Sequence, residues 1–296
     1  MEFVKMHGAG NDYIFVNGVE RTFDWPRLAV LASDRHKGIG GDGLIVAERS
    51  GVADLKMSMF NIDGSQGAMC GNGIRCLVKF AIGEGIVSSN NPVVKVETGR
   101  GVLEVFPIIE DQEMVGAKVA MGVPMFNPGQ IPLKIDMTEG PILDYDLRVD
   151  GFNLGLSFVS MGNGHAVTFL EGPVEEFPLD EIGPKVELQE IFPDRINFEI
   201  VNVVSDEHIK VRVWERGSGI TMACGTGACA ASVIARLRGM VKDDVTVEMP
   251  GGILKTSWDG SGTVMMEGPV ETVFRGEWDF WLGNLDGLPG LLDVKT

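Results

Sequence analysis

WERGSGITMACGTGAC, residues 214–229, sets a glycine-rich loop carrying an acid and an arginine in front of a cysteine, Cys224. The run that follows, Ala228 to Leu237, is apolar nearly all round, with Arg236 and Arg238 in its last turn and Gly239 just beyond. Those are the stop signals of a helix, and a helix apolar on most faces belongs inside a protein. Cys224 is therefore predicted at the start of a buried helix, beside amides that have no intrahelical partner. Such a place is expected to lower a thiol pKa from about 8.5 toward neutrality.

The chain contains this arrangement twice. NIDGSQGAMCGNG, residues 61–73, aligns without gaps on residues 215–227, so that Cys70 falls on Cys224. An alternating stretch precedes each copy, Lys56 to Phe60 and Lys210 to Trp214, and reads as a strand. An apolar helix follows each, here Ile74 to Ile82. A repeat of strand, glycine loop, cysteine and buried helix implies two similar halves. If a pseudo-two-fold axis relates them, the two thiols can face each other across a cleft.

The chain of 296 residues is 44% hydrophobic, enough for two domains with real cores. Its formal charge of −17 argues against nucleic acid or an anionic membrane as partner. Met1 to His7 holds no apolar core of signal-peptide length, and no run approaches a membrane span. The four cysteines are accordingly expected as reduced thiols in a cytoplasm.

Read in order, Glu2 to His7 and Tyr13 to Asn17 are strands, Trp25 to Asp34 a helix and Leu44 to Glu48 a strand. Gly38 to Gly43 matches G-x-G-x-x-G but opens a strand, so it is read as a turn and not a nucleotide loop. A hairpin is predicted around Gly99-Arg100-Gly101, a strand at Val115 to Met121 and a crossover at Gly122 to Gly129. Further strands are expected near Ile131–Met137, Leu147–Val149, Leu154–Met161, Asn197–Val204, Val245–Met249 and Thr263–Glu267. Leu179 to Phe192 reads as an acidic surface helix broken near Gly183-Pro184. The tail from Glu277 is aromatic and then rich in glycine and leucine.

Cys76 and Cys229 fall within the helices and read as core residues. The Cys70/Cys76 spacing, C-x₅-C, falls outside C-x₂₋₄-C, and although Cys224/Cys229 is C-x₄-C each pair lies on a predicted helix, which argues against zinc. His165 sits in a glycine turn of a chain with only four histidines, and Arg216 is a natural fork for a carboxylate. Asn11, Asn61, Asn163 and Asn197 could each be turn or cap residues, and gain weight only together. Two opposed thiols can invert a carbon centre: one thiolate removes a Cα proton while the other thiol delivers one from the far side. The carbanion needs help, and the Gly71/Asn72 and Gly225/Thr226 amides at two helix N-termini are the candidates to hold its carboxylate. No motif demands pyridoxal phosphate, flavin or metal. The reading is a cofactor-independent racemase or epimerase working by acid–base catalysis. A thiol-redox or metal-binding protein is the rival from another class.

Residues 6–17, 34–46, 60–76, 160–167, 193–197 and 214–231 together resemble the diaminopimelate epimerase family. The proline racemases are related, but their first motif usually reads C-G-H-G where Cys70 begins C-G-N-G. The resemblance implies an α/β (α+β) fold of two pseudo-symmetric domains, each a mostly antiparallel sheet wrapped around a central buried helix, with the active site in the cleft. The domains are placed at residues 1–121 with 268–296, and at 122–267, a C-terminal strand near Pro269–Phe274 returning to the first. It implies Cys70 and Cys224 as the acid/base pair that interconverts LL- and meso-diaminopimelate for lysine and peptidoglycan. Asn11, Asn61, Asn163, Asn197, Glu215 and Arg216 are implied as substrate-binding, with His165 and Glu215 tuning the cysteines. Gly71, Asn72, Gly225 and Thr226 are implied to hold the reacting carboxylate. No cofactor and no metal are expected. A small amino acid is the expected partner and a homodimer the candidate assembly, with neither nucleic acid nor membrane. Gly164 stands where the family usually has proline, which is expected to loosen the placement of His165. Gly43 replaces a glutamine that binds substrate in some members, so that role is not carried over.

Overall fold

Ala9 and Gly10, both at positive φ (54° and 87°), form the two-residue turn that folds β1 (Glu2–Gly8) onto β2 (Asn11–Asn17). A two-residue loop with both central φ positive has the twist that antiparallel strands need. The computed structural model describes residues 1–21 and 23–279. The chain forms two compact units, residues 1–119 with the segment from residue 269, and residues 120–268.

In the first unit α1 (Trp25–Ser33) starts where the Asp24 carboxylate accepts the Arg27 amide, with Pro26 in its first turn. This is the cap chemistry that satisfies an orphan N–H. β3 (Gly43–Glu48) runs parallel to β2, and β4 (Leu55–Asn61) antiparallel to β3. The two-residue β5 (Gln66–Gly67) folds back on β4 and leads into α2 (Gly71–Gly83). β6 (Val94–Thr98), β7 (Gly101–Glu110) and β8 (Glu113–Gly122) complete the meander. Helix α2 packs on β1, β2, β3 and β7, so the sheet curves round it. Ile74, Leu77, Val78, Phe80 and Ala81 are buried there, as the apolar pattern requires.

The second unit opens with a 3₁₀ turn, Pro128–Gln130, and the strand expected at Ile131–Met137 is absent. The reason is local. Pro132 has no N–H to give a ladder, and the Leu133 and Lys134 amides bond Pro128 and Ile191 carbonyls instead. β9 (Tyr145–Val149) and β10 (Phe152–Ser160) form a hairpin over Asp150-Gly151. β11 (Gly164–Phe169) follows, then α3 (Leu179–Glu187). That helix ends earlier than its acidic pattern predicted and runs unbroken through Pro184. Leu179, Ile182, Val186 and Glu187 are buried on it, and packing outweighs the one backbone bond that proline forfeits. β12 (Asn197–Ser205) lies parallel to β11, and β13 (His208–Glu215) antiparallel to β12. The short β14 (Gly219–Ile220) leads into α4 (Gly225–Leu237). β15 (Asp244–Met249), β16 (Gly252–Ser257) and β17 (Val264–Pro269) follow. β16 had no strand signature because it begins inside the Pro250-Gly251-Gly252 turn. Helix α4 packs on β10 to β13, β15 and β16. β18 (Glu271–Glu277) then pairs with β1 of the first unit, the returning strand expected from the resemblance. The rest of the aromatic and leucine-rich tail lies outside the described residues.

Candidate active site

Cys70 and Cys224 both cap thirteen-residue helices from an extended backbone, at φ −128° and −119°. In each, the amide three residues on donates to the sulfur, Gly73 at 3.3 Å and Gly227 at 3.4 Å. The sulfur takes the part a serine or aspartate oxygen usually plays at an N-cap. At both third positions a side chain would crowd its neighbours. A Cβ on Gly73 would lie 2.5 Å from Ile45 Cδ1, and one on Gly227 2.9 Å from Glu199 Oε1. The approach strands match as well, Phe60 pairing with Gln66 and Trp214 with Ile220.

In the first unit Asn72, second in α2, donates to Asn11 Oδ1 at 2.6 Å. Arg75, fully buried, holds the other end of that amide, its Nη2 donating to Asn72 Oδ1 and its Nη1 to the Gly71 carbonyl, each at 2.9 Å. Asn11, Asn72 and Gly71 are thus gathered at the helix start. Asn61 caps its own turn, donating to Ser65 Oγ at 2.9 Å. The Gly38–Gly43 turn is held by charge: Lys5 donates to the Gly40 carbonyl and meets Asp12 at 2.6 Å, while Arg35 bridges Asp12 and Asp42. Burial pushes the Asp12 carboxyl up, but the bonds from Arg35 and Lys5 outweigh it and hold it below its ordinary value. At Gly43 a Cβ would stand 2.3 Å from the Phe60 carbonyl, so this backbone accepts no side chain there.

In the second unit the site is more deeply buried. Asn163 donates to Thr226 Oγ1 at 3.2 Å, and that hydroxyl lies 3.5 Å from Cys224 Sγ. His165 Nδ1 is 2.7 Å from Glu199 Oε1, both side chains wholly buried. The Gly164 substitution therefore does not loosen His165. Its backbone pairs with Ser160, its carbonyl accepts from Asn197, and a Cβ there would crowd Ile196 and the Ile131 carbonyl. Glu215 accepts from the Thr221 hydroxyl. Arg216 gives its backbone N–H to Asn197 Oδ1 at 2.9 Å and its guanidinium to the Asp194 carbonyl at 3.1 Å.

The helix N-terminus does not lower the Cys224 thiol as the sequence suggested. Burial pushes it well above its ordinary value, and the Glu215 and Glu199 carboxylates add to the rise, outweighing the Thr226 and Gly227 hydrogen bonds. Burial likewise pushes Glu215 up, against the Thr221 bond. Inside α2, burial drives Cys76 to about 12, consistent with a core residue. All four cysteines are free thiols.

Sequence reasoning passed over Arg75, Glu187 and Glu199. A lone arginine in an apolar helix and a lone acid in an apolar strand were legible signals for Arg75 and Glu199. Glu187 sits in an acidic stretch and carried none. Among the described residues no group of three or more His, Cys, Asp or Glu side chains is placed to hold a metal ion, and no helix is long and apolar enough to cross a membrane.

Solved structures share this architecture. A probable proline racemase from Agrobacterium radiobacter K84 superposes with a TM-score of 0.66 at 16% identity, covering 97% of this chain and 94% of its own. A phenazine biosynthesis protein of the PhzF family from Bacillus anthracis gives 0.67 at 16% identity, over 94% and 99%. The chain shares its fold with these proline racemase and PhzF-family structures. The diaminopimelate epimerase family model matches residues 3–126 and 157–273. Diaminopimelate epimerases from Methanococcus maripaludis strain C6 and Acetivibrio thermocellus are 43% and 44% identical over 281 residues, 94% of this chain and 100% and 99% of their own lengths. The chain belongs to the diaminopimelate epimerase family, and is an isomerase.

Proposed function

We propose that this chain interconverts LL- and meso-2,6-diaminoheptanedioate in the cytoplasm, with Cys70 and Cys224 as the two acid/base groups. The duplicated cysteine-capped helix carries the reading. Inversion at Cα breaks the C–H bond on one face and makes it on the other, so one thiolate accepts a proton while the other thiol gives one up. The roles exchange when the reaction reverses. Cys224, whose pKa burial raises, is poised as the proton donor. Its use as a base is favoured by the positive α-ammonium that substrate brings close.

The developing negative charge falls on the substrate carboxylate. Amides of the first turns, Gly71 and Asn72 in one half and Gly225 and Thr226 in the other, suit an anion there. Asn11 and Asn163 fix the second residue of each helix, which supports their assignment to the same task. Arg216, exposed and anchored at one nitrogen, is assigned to the distal carboxylate, with Asn61, Asn197 and Glu215 around the distal amino-acid end. His165 and Glu215 set the electrostatics of Cys224.

The test is Cα deuterium incorporation from D₂O into LL-diaminopimelate, with reductant and no added cofactor. Exchange with inversion in the wild type, lost in Cys70→Ala and Cys224→Ala, is the expected result. Turnover of proline but not diaminopimelate would contradict the reading.

A further inference from the structure

Arg216 and Gly217 form the tip of the hairpin between β13 and β14, where Glu215 pairs with Gly219. Gly217 is at φ 76°, and while the Ser218 amide closes the hairpin on the Glu215 carbonyl at 3.0 Å, those of Arg216 and Gly217 go to side chains. Arg216 gives its N–H to Asn197, as described. Gly217 gives its N–H to Glu187 Oε1 at 3.0 Å, an acid on α3, thirty positions away in sequence. The other oxygen, Oε2, accepts the Trp214 indole N–H at 2.6 Å, and Arg195 Nη1 approaches Oε1 at 3.5 Å. One carboxylate, its side chain 7% exposed, therefore ties Trp214, Gly217 and Arg195. Asp194, next to Arg195, is the residue whose carbonyl holds the Arg216 guanidinium.

The helix is built for this contact. Gly183 precedes Glu187 by four residues and shares its face. A Cβ on Gly183 would come within 2.7 Å of the Trp214 ring, so glycine lets the helix lie against the indole and brings Glu187 to its N–H. Its partners are not scattered: Trp214 and Gly217 stand on either side of Arg216, and Arg195 adjoins the residue whose carbonyl holds the Arg216 guanidinium.

We propose that Glu187 is a positioning residue for substrate binding: its carboxylate fixes the hairpin tip that carries Arg216. This rests on the assignment of Arg216 to the distal carboxylate of the substrate. Because the contact to that carboxylate is the same in the ground state and the transition state, its loss removes uniform binding, and the effect falls on KM and leaves kcat nearly unchanged.

Steady-state kinetics of Glu187→Ala, Glu187→Gln and Arg216→Ala, with Leu154→Ala as a core variant outside the loop, test it. Loss of a charge-assisted bond corresponds to a rise in KM of about tenfold or more for Glu187→Ala. Glu187→Gln keeps one acceptor oxygen, so its KM is expected between those of wild type and alanine. Leu154→Ala lowers the Tm but leaves KM in place. In the Arg216→Ala background, Glu187→Ala adds little, because both act through one contact. If Arg216→Ala raises KM and both Glu187 variants do not, the positioning role is wrong and the Arg216 assignment stands. If Arg216→Ala leaves KM unchanged, the assignment falls and the proposal with it. If Glu187→Ala does not fold, Glu187→Gln alone decides: KM at the wild-type value overturns the proposal.

Discussion

Asn72 reaches Asn11 Oδ1 across 2.6 Å, and in the other half Asn163 makes the corresponding reach to Thr226 Oγ1 at 3.2 Å. In both, an asparagine beside a tight turn is bonded to the second residue of a cysteine-capped helix. The bond fixes the first turn of the helix, where the anion-binding amides lie. The two halves reach one geometry with different partners, an amide in one and a hydroxyl in the other.

Removing that tie exposes its cost. Asn11→Ala leaves the buried Asn72 side-chain N–H without this acceptor, and is expected to lower stability by about 1–3 kcal/mol. Urea unfolding of variant and wild type measures it. A stability equal to wild type would mean that another group takes over the donor.

Arg75→Met removes a buried guanidinium that serves Asn72 Oδ1 and the Gly71 carbonyl. Asn72 Oδ1 and the Gly71 carbonyl then lose this donor, at about 1–3 kcal/mol each, and the Pro269 carbonyl loses a longer bond of 3.5 Å from Nε. The variant is expected to unfold at lower urea and to lose kcat/KM, because the Asn72–Asn11 tie depends on it. Unaltered kcat/KM in folded Arg75→Met would separate the guanidinium from the site.

Thiol alkylation should order the cysteines by environment. Cys70, partly exposed, reacts first, Cys224 more slowly and at higher pH, and Cys76 and Cys229 only on unfolding. Since the Glu215 carboxylate raises the Cys224 thiol, Glu215→Gln should move Cys224 alkylation to lower pH. Mass spectrometry of timed iodoacetamide reactions reads both. A shift to higher pH in the variant would reverse the assigned sign.

Asp12 offers a test in acid. Its folded pKa lies below the ordinary carboxylate value, so its ion pairs stabilise the fold above the unfolded pKa. That contribution is lost as pH falls from about 4 through the depressed folded value. Asp12→Asn should be less stable than wild type near neutrality, and the difference should shrink on acidification. Denaturation at stepped pH follows it. A gap that widens in acid would contradict the ion-pair account.

The elements of the site were legible because local rules write them. Tight glycine loops, a run apolar on all faces and C-G-[NT]-G before it are short-range signals, and α2 and α4 begin at the residues after Cys70 and Cys224 as those signals required. The strand expected at Ile131–Met137 failed on Pro132, whose missing N–H a hydrophobicity pattern does not register. The acidic helix begins at Leu179 as expected but ends at Glu187 and is not wholly a surface helix, because Glu187 is charged in sequence but buried in space, where the Trp214 indole and the Gly217 amide hold it.

The sequence by itself determined the duplication, the place of each cysteine at a helix start and the family. Tertiary structure alone decided the direction in which the Cys224 pKa moves, because burial and the Glu199 and Glu215 charges act through the packing of β12 and β13 against α4. It alone decided which side chains hold Asn72, His165 and Arg216. Hydrogen bonds and desolvation act through distance in space, and the order of residues along the chain does not contain those distances.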